Sequence, residues 1–188
     1  MLLVQSSVRP SCIAGMGLFV DQPVSKGSVV AIFTHGLCLI NEEEYNSRTL
    51  AGDQTVIRTG CRFVDETYIC RETEELEPED YVNHSFSANL LYHCGICFAL
   101  RDLIPDEELT VNYQYLLSED EPGFFDVRTN RYVAGLSAHR SLYQSSLKLS
   151  ALMKSCLEES KAEIVLHPVV RDVIERRKDR QRHTVGIR

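Results

Sequence analysis

Short hydrophobic runs separated by turn-forming residues predict a β-rich start to the chain. Residues 18–20 (Leu-Phe-Val) open an extended apolar run directly after the Gly-Met-Gly of residues 15–17. Pro23 and the Ser-Lys-Gly of residues 25–27 predict a turn. Residues 29–33 (Val-Val-Ala-Ile-Phe) then predict a compact buried strand.

The next forty residues carry weaker signals. Residues 41–50 begin with Asn and have Glu three positions later, a loose capping box that predicts a short helix. Residues 55–57 and 62–64 are weak strand predictions, and the acidic stretch 72–80 is predicted to be a loop.

A continuous run of apolar and β-favouring residues over 90–100 predicts a central strand or a strand pair bent at Gly95. Residues 109–111 predict another strand, which Tyr113 and Tyr115 continue. Side chains two positions apart lie on the same face of a strand, so this pattern predicts that both tyrosine hydroxyls point into one cavity.

Beyond Gly123 the pattern becomes helical in a stretch without Gly or Pro. Pro168 can open a last helix that ends in a basic tail. In the helical stretch before Pro168, apolar residues recur near the 3.6-residue period, namely Leu142, Leu149, Met153, Cys156 and Leu157.

The composition fits one soluble domain with an appendage. The chain has 188 residues, of which 44% are hydrophobic and 25% charged. Its longest apolar stretches, such as residues 27–33, are far shorter than the roughly 20 residues that span a bilayer. Its start lacks the basic segment followed by a long apolar core that is typical of a secretory signal. The seven cysteines are scattered and odd in number, which favours a reducing compartment. We therefore expect an intracellular protein without membrane contact.

The net charge of −7 is unevenly placed. Residues 171–188 hold seven Lys/Arg and three acids, a net +4, which leaves −11 on residues 1–170. An acidic body disfavours direct nucleic-acid binding and attracts a basic partner or peptide substrate. A solvated acidic surface that keeps the protein soluble is the plainer interpretation of the same charge.

Several familiar motifs are incomplete or missing. The glycines of residues 15–17 lack the third glycine of a dinucleotide fingerprint, because position 20 is Val, so they indicate either a plain turn or a close approach of backbone to a ligand. Cys94 and Cys97 form a CxxC, but residues three apart on a strand face opposite sides, which favours buried cysteines over a metal site. Neither GxSxG, HExxH nor a P-loop lysine motif occurs.

Two polar segments remain, NHSFSAN at residues 83–89 and ELTVNYQY at residues 108–115. Together with the Gly-Met-Gly of residues 15–17, they resemble the three motifs of the SET-domain protein-lysine methyltransferases, in the same order. The resemblance covers about residues 4–116 and is nearest to the histone-lysine mono-methyltransferase branch, where a tyrosine, here Tyr92, follows the first segment.

This resemblance implies a β-rich α+β fold, the SET-domain (β-clip) arrangement of small curved sheets with a C-terminal pseudoknot, followed by a helical C-terminal segment. We expect a SET domain at residues 1–116 with a variable insert at 41–78, and a helical post-SET segment with a basic tail at 117–188. The implied activity is methyl transfer from S-adenosylmethionine to a lysine of a basic protein or peptide, a histone tail being one such substrate.

By the same resemblance, the backbone of Gly15, Met16 and Gly17 holds the methionine part of S-adenosylmethionine. Asn83 and His84 contact its amino-acid and adenine portions. No metal is implied, because methyl transfer needs alignment and a neutral amine rather than a metal or a protein nucleophile.

Tyr113 matches the catalytic tyrosine of the family, and Tyr92 and Tyr115 match residues that line the substrate-lysine channel. Thr34 stands where the mono-methylating branch has a channel tyrosine, which leaves the number of transferred methyl groups open. The chain has no Trp to stack on adenine, so Phe124 or Phe125 is the candidate for that role.

The sequence also departs from the family pattern. Ala88 replaces the usual Pro, Asn112 stands where many members have Asp, and the three-cysteine zinc tail is absent. A non-catalytic SET-like module that binds a basic peptide or a partner protein is therefore the alternative hypothesis. We expect a nuclear protein if the source is eukaryotic or the protein acts on a host, and a cytoplasmic one otherwise.

Overall fold

The computed structural model describes residues 1–33, 38–73 and 75–158. In these ranges short strands alternate with turns, and the one long helix comes last. The strands are β1 (Ser6–Pro10), β2 (Met16–Val20), β3 (Val29–Ile32), β4 (Cys38–Asn41), β5 (Cys61–Val64), β6 (Thr67–Cys70), β7 (Asn83–His84), β8 (Leu90–His93), β9 (Ile96–Ala99), β10 (Thr110–Val111), β11 (Phe124–Phe125) and β12 (Tyr132–Val133). The helices are α1 (Glu42–Leu50), α2 (Gln54–Thr59) and α3 (Ala138–Glu158), with 3-10 turns at Pro78–Tyr81 and Tyr113–Tyr115.

The strands form small, separate sheets. Strand β1 pairs with β2, β3 with β9 and then β8, β4 with β6 and then β5, and β11 with β12, all antiparallel. Strands β7 and β10 form a parallel pair at the place where the resemblance puts the pseudoknot. These small sheets, together with a C-terminal helix, confirm the predicted β-rich α+β class.

The run over residues 90–100 is the predicted strand pair bent at Gly95. Strands β8 and β9 are joined by a two-residue turn in which Cys94 and Gly95 both have positive φ, 48° and 78°. The turn corrects the prediction that both cysteines of the CxxC lie in a strand: Cys97 is buried in β9, whereas Cys94 lies half-buried in the turn. All seven cysteines are free thiols, and the described residues contain no cluster of metal-ligating side chains.

Of the two short helices, α1 was predicted from the sequence and α2 was not. Helix α1 begins as predicted, with the side chain of Asn41 accepting a hydrogen bond from Glu44 N at 2.8 Å. The strand prediction for residues 55–57 is wrong, because these residues lie in α2. Asp53 caps that helix, its carboxylate accepting from Thr55 N and Val56 N, and the cap outweighs the β preference of the residues that follow.

Two hydrophobic clusters divide the interior. The larger cluster joins the first strand pairs to β8, β9 and β10, and includes Leu18, Val30, Leu90 and Leu109. The smaller cluster lies within the insert, where the rings of Tyr45 and Tyr68 stack with centroids 3.9 Å apart. Its buried members are Ile40, Tyr45, Val56, Tyr68 and Cys70.

Helix α3 packs along β8 and the 3-10 turn Tyr113–Tyr115. A Cβ at Gly27, which has φ +83°, would lie 2.6 Å from Cys156 Sγ, so the helix end and this turn fit only with glycine there. Leu157 was predicted to belong to the packed stripe but is 81% exposed. None of the described helices is long and apolar enough to cross a membrane. The predicted helix at Pro168 and the basic tail lie outside the described residues.

A buried arginine joins the insert to the rest of the domain. The side chain of Arg62 is 3% exposed, and its Nη2 donates to Glu42 Oε1 at 2.9 Å and to Leu136 O at 3.1 Å. Glu42 Oε1 also accepts from the hydroxyls of Tyr68 and Ser118, at 2.9 and 3.0 Å. Burial opposes ionisation of Glu42, but these hydrogen bonds and the Arg62 charge hold its pKa below the usual value.

We expect Glu42→Gln to lower the free energy of unfolding by about 1.5–3 kcal/mol near pH 7, because Arg62 then keeps only neutral acceptors. Since the pKa of Glu42 is lowered on folding, its contribution is complete above the unfolded pKa and is lost as the pH falls through the folded pKa. Urea unfolding should show a difference between variant and parent that is constant from pH 5 to 7 and shrinks in acid. Glu43→Gln, at an exposed position in the same turn, is the control. An equal loss in both variants would contradict this role.

Candidate functional site

The two polar segments found in the sequence lie side by side. In the parallel pair of β7 and β10, Asn83 is opposite Thr110 and His84 is opposite Val111. The pairing continues where Ser85 N donates to Val111 O at 3.0 Å. Strand alternation then sends Thr110 to one side of the pair and Val111 to the other, and each of these residues lines a different cavity.

His84 connects the two segments through its ring. Its Nδ1 accepts a hydrogen bond from Tyr113 N at 3.1 Å, so the proton of the neutral ring is on Nε2. That Nε2 is buried without a hydrogen-bond partner, 3.9 Å from Asp126 Oδ2. Burial lowers the pKa of His84, and the nearby Asp126 charge only partly opposes the effect. The ring is therefore neutral at pH 7 and presents one unused N–H.

Asn83 fastens the glycine-containing loop to the site. Its Nδ2 donates to the carbonyl oxygens of Ala14 and Met16, at 3.2 and 3.1 Å, and to Glu108 Oε1 at 2.8 Å. A Cβ at Gly17 would lie 2.3 Å from that same Glu108 oxygen, so glycine is required for the loop to approach this carboxylate.

Gly15, the first glycine of the loop, has φ +47° and no neighbouring atom within 4 Å of the position that a Cβ would take. The exposed Met16 follows it at the start of β2. This part of the loop therefore presents bare backbone to open space.

A cavity of about 90 Å³ lies on the Val111 side of the pair. The hydroxyl of Tyr113 donates to Val82 O at 2.8 Å, and that of Tyr92 donates to Arg62 O. Burial raises the pKa of Tyr113 to about 12, so its hydroxyl stays protonated at neutral pH. The wall combines these two tyrosines with apolar side chains, thiols and two acids, including Phe33, Cys61, Val82, Cys97, Leu116, Glu79 and Asp80.

The structure corrects the prediction for Tyr115. Only Thr110–Val111 is a strand, and the chain then turns into the 3-10 segment Tyr113–Tyr115, which Asn112 caps by accepting from Gln114 N at 3.1 Å. The turn breaks the two-residue alternation, so the hydroxyls of Tyr113 and Tyr115 do not share a cavity. Tyr115 is instead buried beneath α3, with Lys148 Nζ 5.0 Å from its ring centroid.

The hairpin of β11 and β12 covers the polar segments. The ring of Phe124 meets those of His84 and Tyr113 edge-on, with centroids 5.8 and 6.1 Å apart, and Phe124 is 38% exposed. Phe125 points away, contacts Tyr132 and is 62% exposed. The structure thus separates the two phenylalanine candidates and brings only Phe124 to the site.

A cleft of about 530 Å³ opens beneath this hairpin, a volume within the usual range of small-molecule sites. Its lining comes from the segment before the glycine loop, the first polar segment and the hairpin, and includes Cys12, Ile13, Ser85, Glu108, Asp126 and Arg131. The cleft and the tyrosine-lined cavity therefore lie on opposite sides of the same two strands.

The family model for the SET domain matches residues 15–114, from the glycine loop to the second polar segment. The chain belongs to the SET-domain family. SET-domain proteins are mostly lysine methyltransferases that use S-adenosylmethionine, and the two-sided site suits that general activity. A comparison with curated proteins gives no match. The resemblance to the mono-methyltransferase branch stays a prediction.

The tyrosine-lined cavity also has residues in its wall that the sequence did not single out. Asp80 and Glu79 contribute carboxylates from the turn before β7, a stretch predicted to be a plain loop. Cys61 was noted only as one of seven cysteines. The place of Asp80 in this wall depends on which segments meet in space, and no pattern in the sequence indicates it. Thr34, the third expected channel residue, lies outside the described residues.

We expect the ring of His84 to be neutral, with its proton on Nε2, throughout the range from pH 6.5 to 8. Its pKa is lowered on folding, so below pH 6.5 the unfolded chain binds a proton that the native state resists, and stability falls. Long-range ¹H–¹⁵N NMR of the imidazole nitrogens across this range would measure both properties. A ring protonated on Nδ1, or a pKa above the ordinary value for histidine, would contradict the geometry.

Proposed function

We propose that this protein is an S-adenosylmethionine-dependent protein-lysine N-methyltransferase. The observation that carries the proposal is the pair of cavities on opposite sides of β7 and β10: a narrow one with the hydroxyls of Tyr92 and Tyr113 in its wall, and a wide cleft beneath the hairpin. A methyl donor and a lysine that approach from opposite sides need this arrangement for an in-line displacement.

Residues beside the cleft, rather than in its lining, offer groups that fit such a methyl donor. We assign its methionine part to the bare backbone of Gly15, Met16 and Gly17, since a Cβ at Gly15 would meet open space. The buried N–H of His84 is a donor without an acceptor among the described residues. Phe124 offers a partly exposed ring beside it for adenine.

Asn83 serves this site differently from the sequence prediction. Its amide hydrogens are used on the loop carbonyls of Ala14 and Met16 and on Glu108, so it orients the backbone that would hold the donor. We therefore assign Asn83 the role of a positioning residue.

Bound S-adenosylmethionine supplies an electrophilic methyl group on a sulfonium. The protein must then align a neutral lysine amine with that methyl group and exclude water. In our proposal the rings of Tyr92 and Phe33 confine the aliphatic part of the lysine. The hydroxyl of Tyr113, protonated at neutral pH, orients the amine.

For the substrate we propose a lysine-containing basic protein or peptide, such as a histone tail. The support is the charge of −11 on residues 1–170 and an open groove next to the channel that is lined by Glu72, Glu75, Glu77 and Glu79. We also propose a SET domain at residues 1–116, with its insert at 41–78, and a segment from residue 117 that completes the site through the hairpin.

The test combines cofactor binding with transfer. We expect calorimetry to detect binding of S-adenosylmethionine, and labelled methyl groups to appear on lysines of basic peptides or histones. Tyr113→Phe should keep the cofactor affinity within about threefold and lose about 100-fold or more in turnover, because the amine loses its orienting hydroxyl. Tyr143→Phe, which is exposed on α3, is the control. Absence of both binding and transfer in the parent protein would favour the non-catalytic module instead.

A second prediction addresses the assignment of Phe124. Phe124→Ala should weaken the binding of S-adenosylmethionine about tenfold, since it removes an aromatic contact with adenine. Phe125→Ala lies one residue away on the same strand but faces away from His84, and should leave the affinity unchanged. Calorimetry on both variants measures the difference, and a larger loss for Phe125→Ala would reverse the assignment.

A further inference from the structure

A carboxylate stands in the wall of the tyrosine-lined channel. Asp80 comes from the 3-10 turn Pro78–Tyr81, and its side chain is only 5% exposed. It lines the same cavity as Tyr92 and Tyr113, among mostly apolar groups such as Val82. A buried carboxylate is unfavourable unless its charge is compensated, so its place in this wall needs an explanation.

Only half of this carboxylate is used by the fold. Asp80 Oδ2 accepts from Arg71 Nε at 2.5 Å and from Glu77 N at 2.8 Å. Its Oδ1 has no hydrogen bond within the described residues. One oxygen therefore anchors the group, and since Asp80 lines the cavity we assign the other, Oδ1, to its wall.

The neighbouring acid, Glu79, is paired with two cations. Glu79 Oε1 accepts from the N-terminal amine of Met1 at 2.6 Å and from Arg71 Nη2 at 3.3 Å. Burial opposes its ionisation, but these two cations hold its pKa below the usual value. Glu79 is thus the carboxylate that stays charged, and Asp80 is the one that can change its charge.

Groups from several elements face Asp80. The cations are Arg71 at the end of β6 and Arg58 from α2, and the nearest anion is Glu79 in the same turn. The weakly acidic groups are Cys61 from β5, Cys97 from β9, Tyr92 from β8 and Tyr113 from the turn after β10. Burial raises the pKa of each of these four, so none of them is a base at neutral pH.

We infer that Asp80 is the base that takes a proton from the substrate lysine inside the channel, an inference that rests on the proposed function. Lysine with an ordinary pKa of about 10.4 enters almost entirely as ammonium, which has no lone pair for attack. One N–H bond breaks, its electron pair stays on nitrogen, and an O–H bond forms at Asp80 Oδ1. The products are a neutral amine and a neutral carboxylic acid, which later releases its proton to solvent.

The electrostatics of the site support this role. Burial raises the pKa of Asp80 more than Arg71 lowers it, which makes the carboxylate a better proton acceptor than an exposed aspartate. The charge of Asp80 also contributes to the raised pKa of Tyr113 and that of Cys61, which places it in the electrostatic reach of both groups.

The first test varies how readily the substrate gives up its proton. With a lysine peptide, Asp80→Asn should lower kcat/KM about 100-fold at pH 7, and the loss should shrink to a few-fold near pH 10, where solution already supplies neutral amine. An aminoethylcysteine peptide, whose amine is less basic, should show a smaller loss at pH 7. Asp80→Glu should restore part of the activity, and Glu119→Gln, which removes an exposed charge, should change nothing. A loss that is the same at every pH and for both amines would overturn the inference.

The second test needs no methyl transfer. We expect NMR titration of the Tyr113 amide to show that the protein binds n-butylammonium at least tenfold more tightly than the neutral 1-butanol at pH 7. Asp80→Asn should abolish that preference. Equal binding of both probes by the parent protein would refute the role of Asp80 even if transfer occurs. Absence of transfer together with the charge preference would refute the proposed function and leave the ammonium site standing.

Discussion

The pairing of Arg62 with Glu42 is the interaction on which the rest of the site depends. A guanidinium so deeply buried is costly to desolvate, and the cost is offset because Nη1 and Nη2 donate to a carboxylate and to carbonyl oxygens. The backbone of Arg62 contributes as well: its carbonyl oxygen accepts a hydrogen bond from the hydroxyl of Tyr92, and its N–H donates to Leu116 O. The insert, the channel wall and the C-terminal segment are therefore held by one residue.

Polar residues of the two motifs act mainly on the backbone. Asn89 is buried, with Oδ1 accepting from Thr110 N and Nδ2 donating to Glu108 O, both at 2.8 Å. His84 Nδ1 likewise accepts from Tyr113 N, and Asn83 Nδ2 donates to Met16 O in the glycine loop. Asparagine and histidine satisfy buried N–H and C=O groups where no regular sheet can, so the motif builds an irregular site before any ligand arrives.

The sequence predicts those parts of the fold that local patterns determine. The continuous apolar run over residues 90–100 left a single strand or a pair bent at Gly95 open, and the structure has the pair; the 3.6-residue period was enough for α3. The position of Tyr115 was not predictable in this way, because the strand ends at Val111, where Asn112 caps the following turn, four residues before Tyr115. The choice between Phe124 and Phe125 and the carboxylate of Asp80 depend on which segments meet in space. Spacing along the chain carries no information about that.

The parallel pair of β7 and β10 has a consequence for how the protein folds. The hydrogen bond between His84 and Tyr113 closes a loop of 29 residues, and that between Arg62 and Leu136 closes one of 74. Such distant contacts slow folding, because the entropy of loop closure is lost before the contacts form. During synthesis the residues of the channel leave the ribosome well before Leu136 does. The hydrogen bond that joins Arg62, beside the channel wall, to Leu136 therefore forms only after the C-terminal segment has docked.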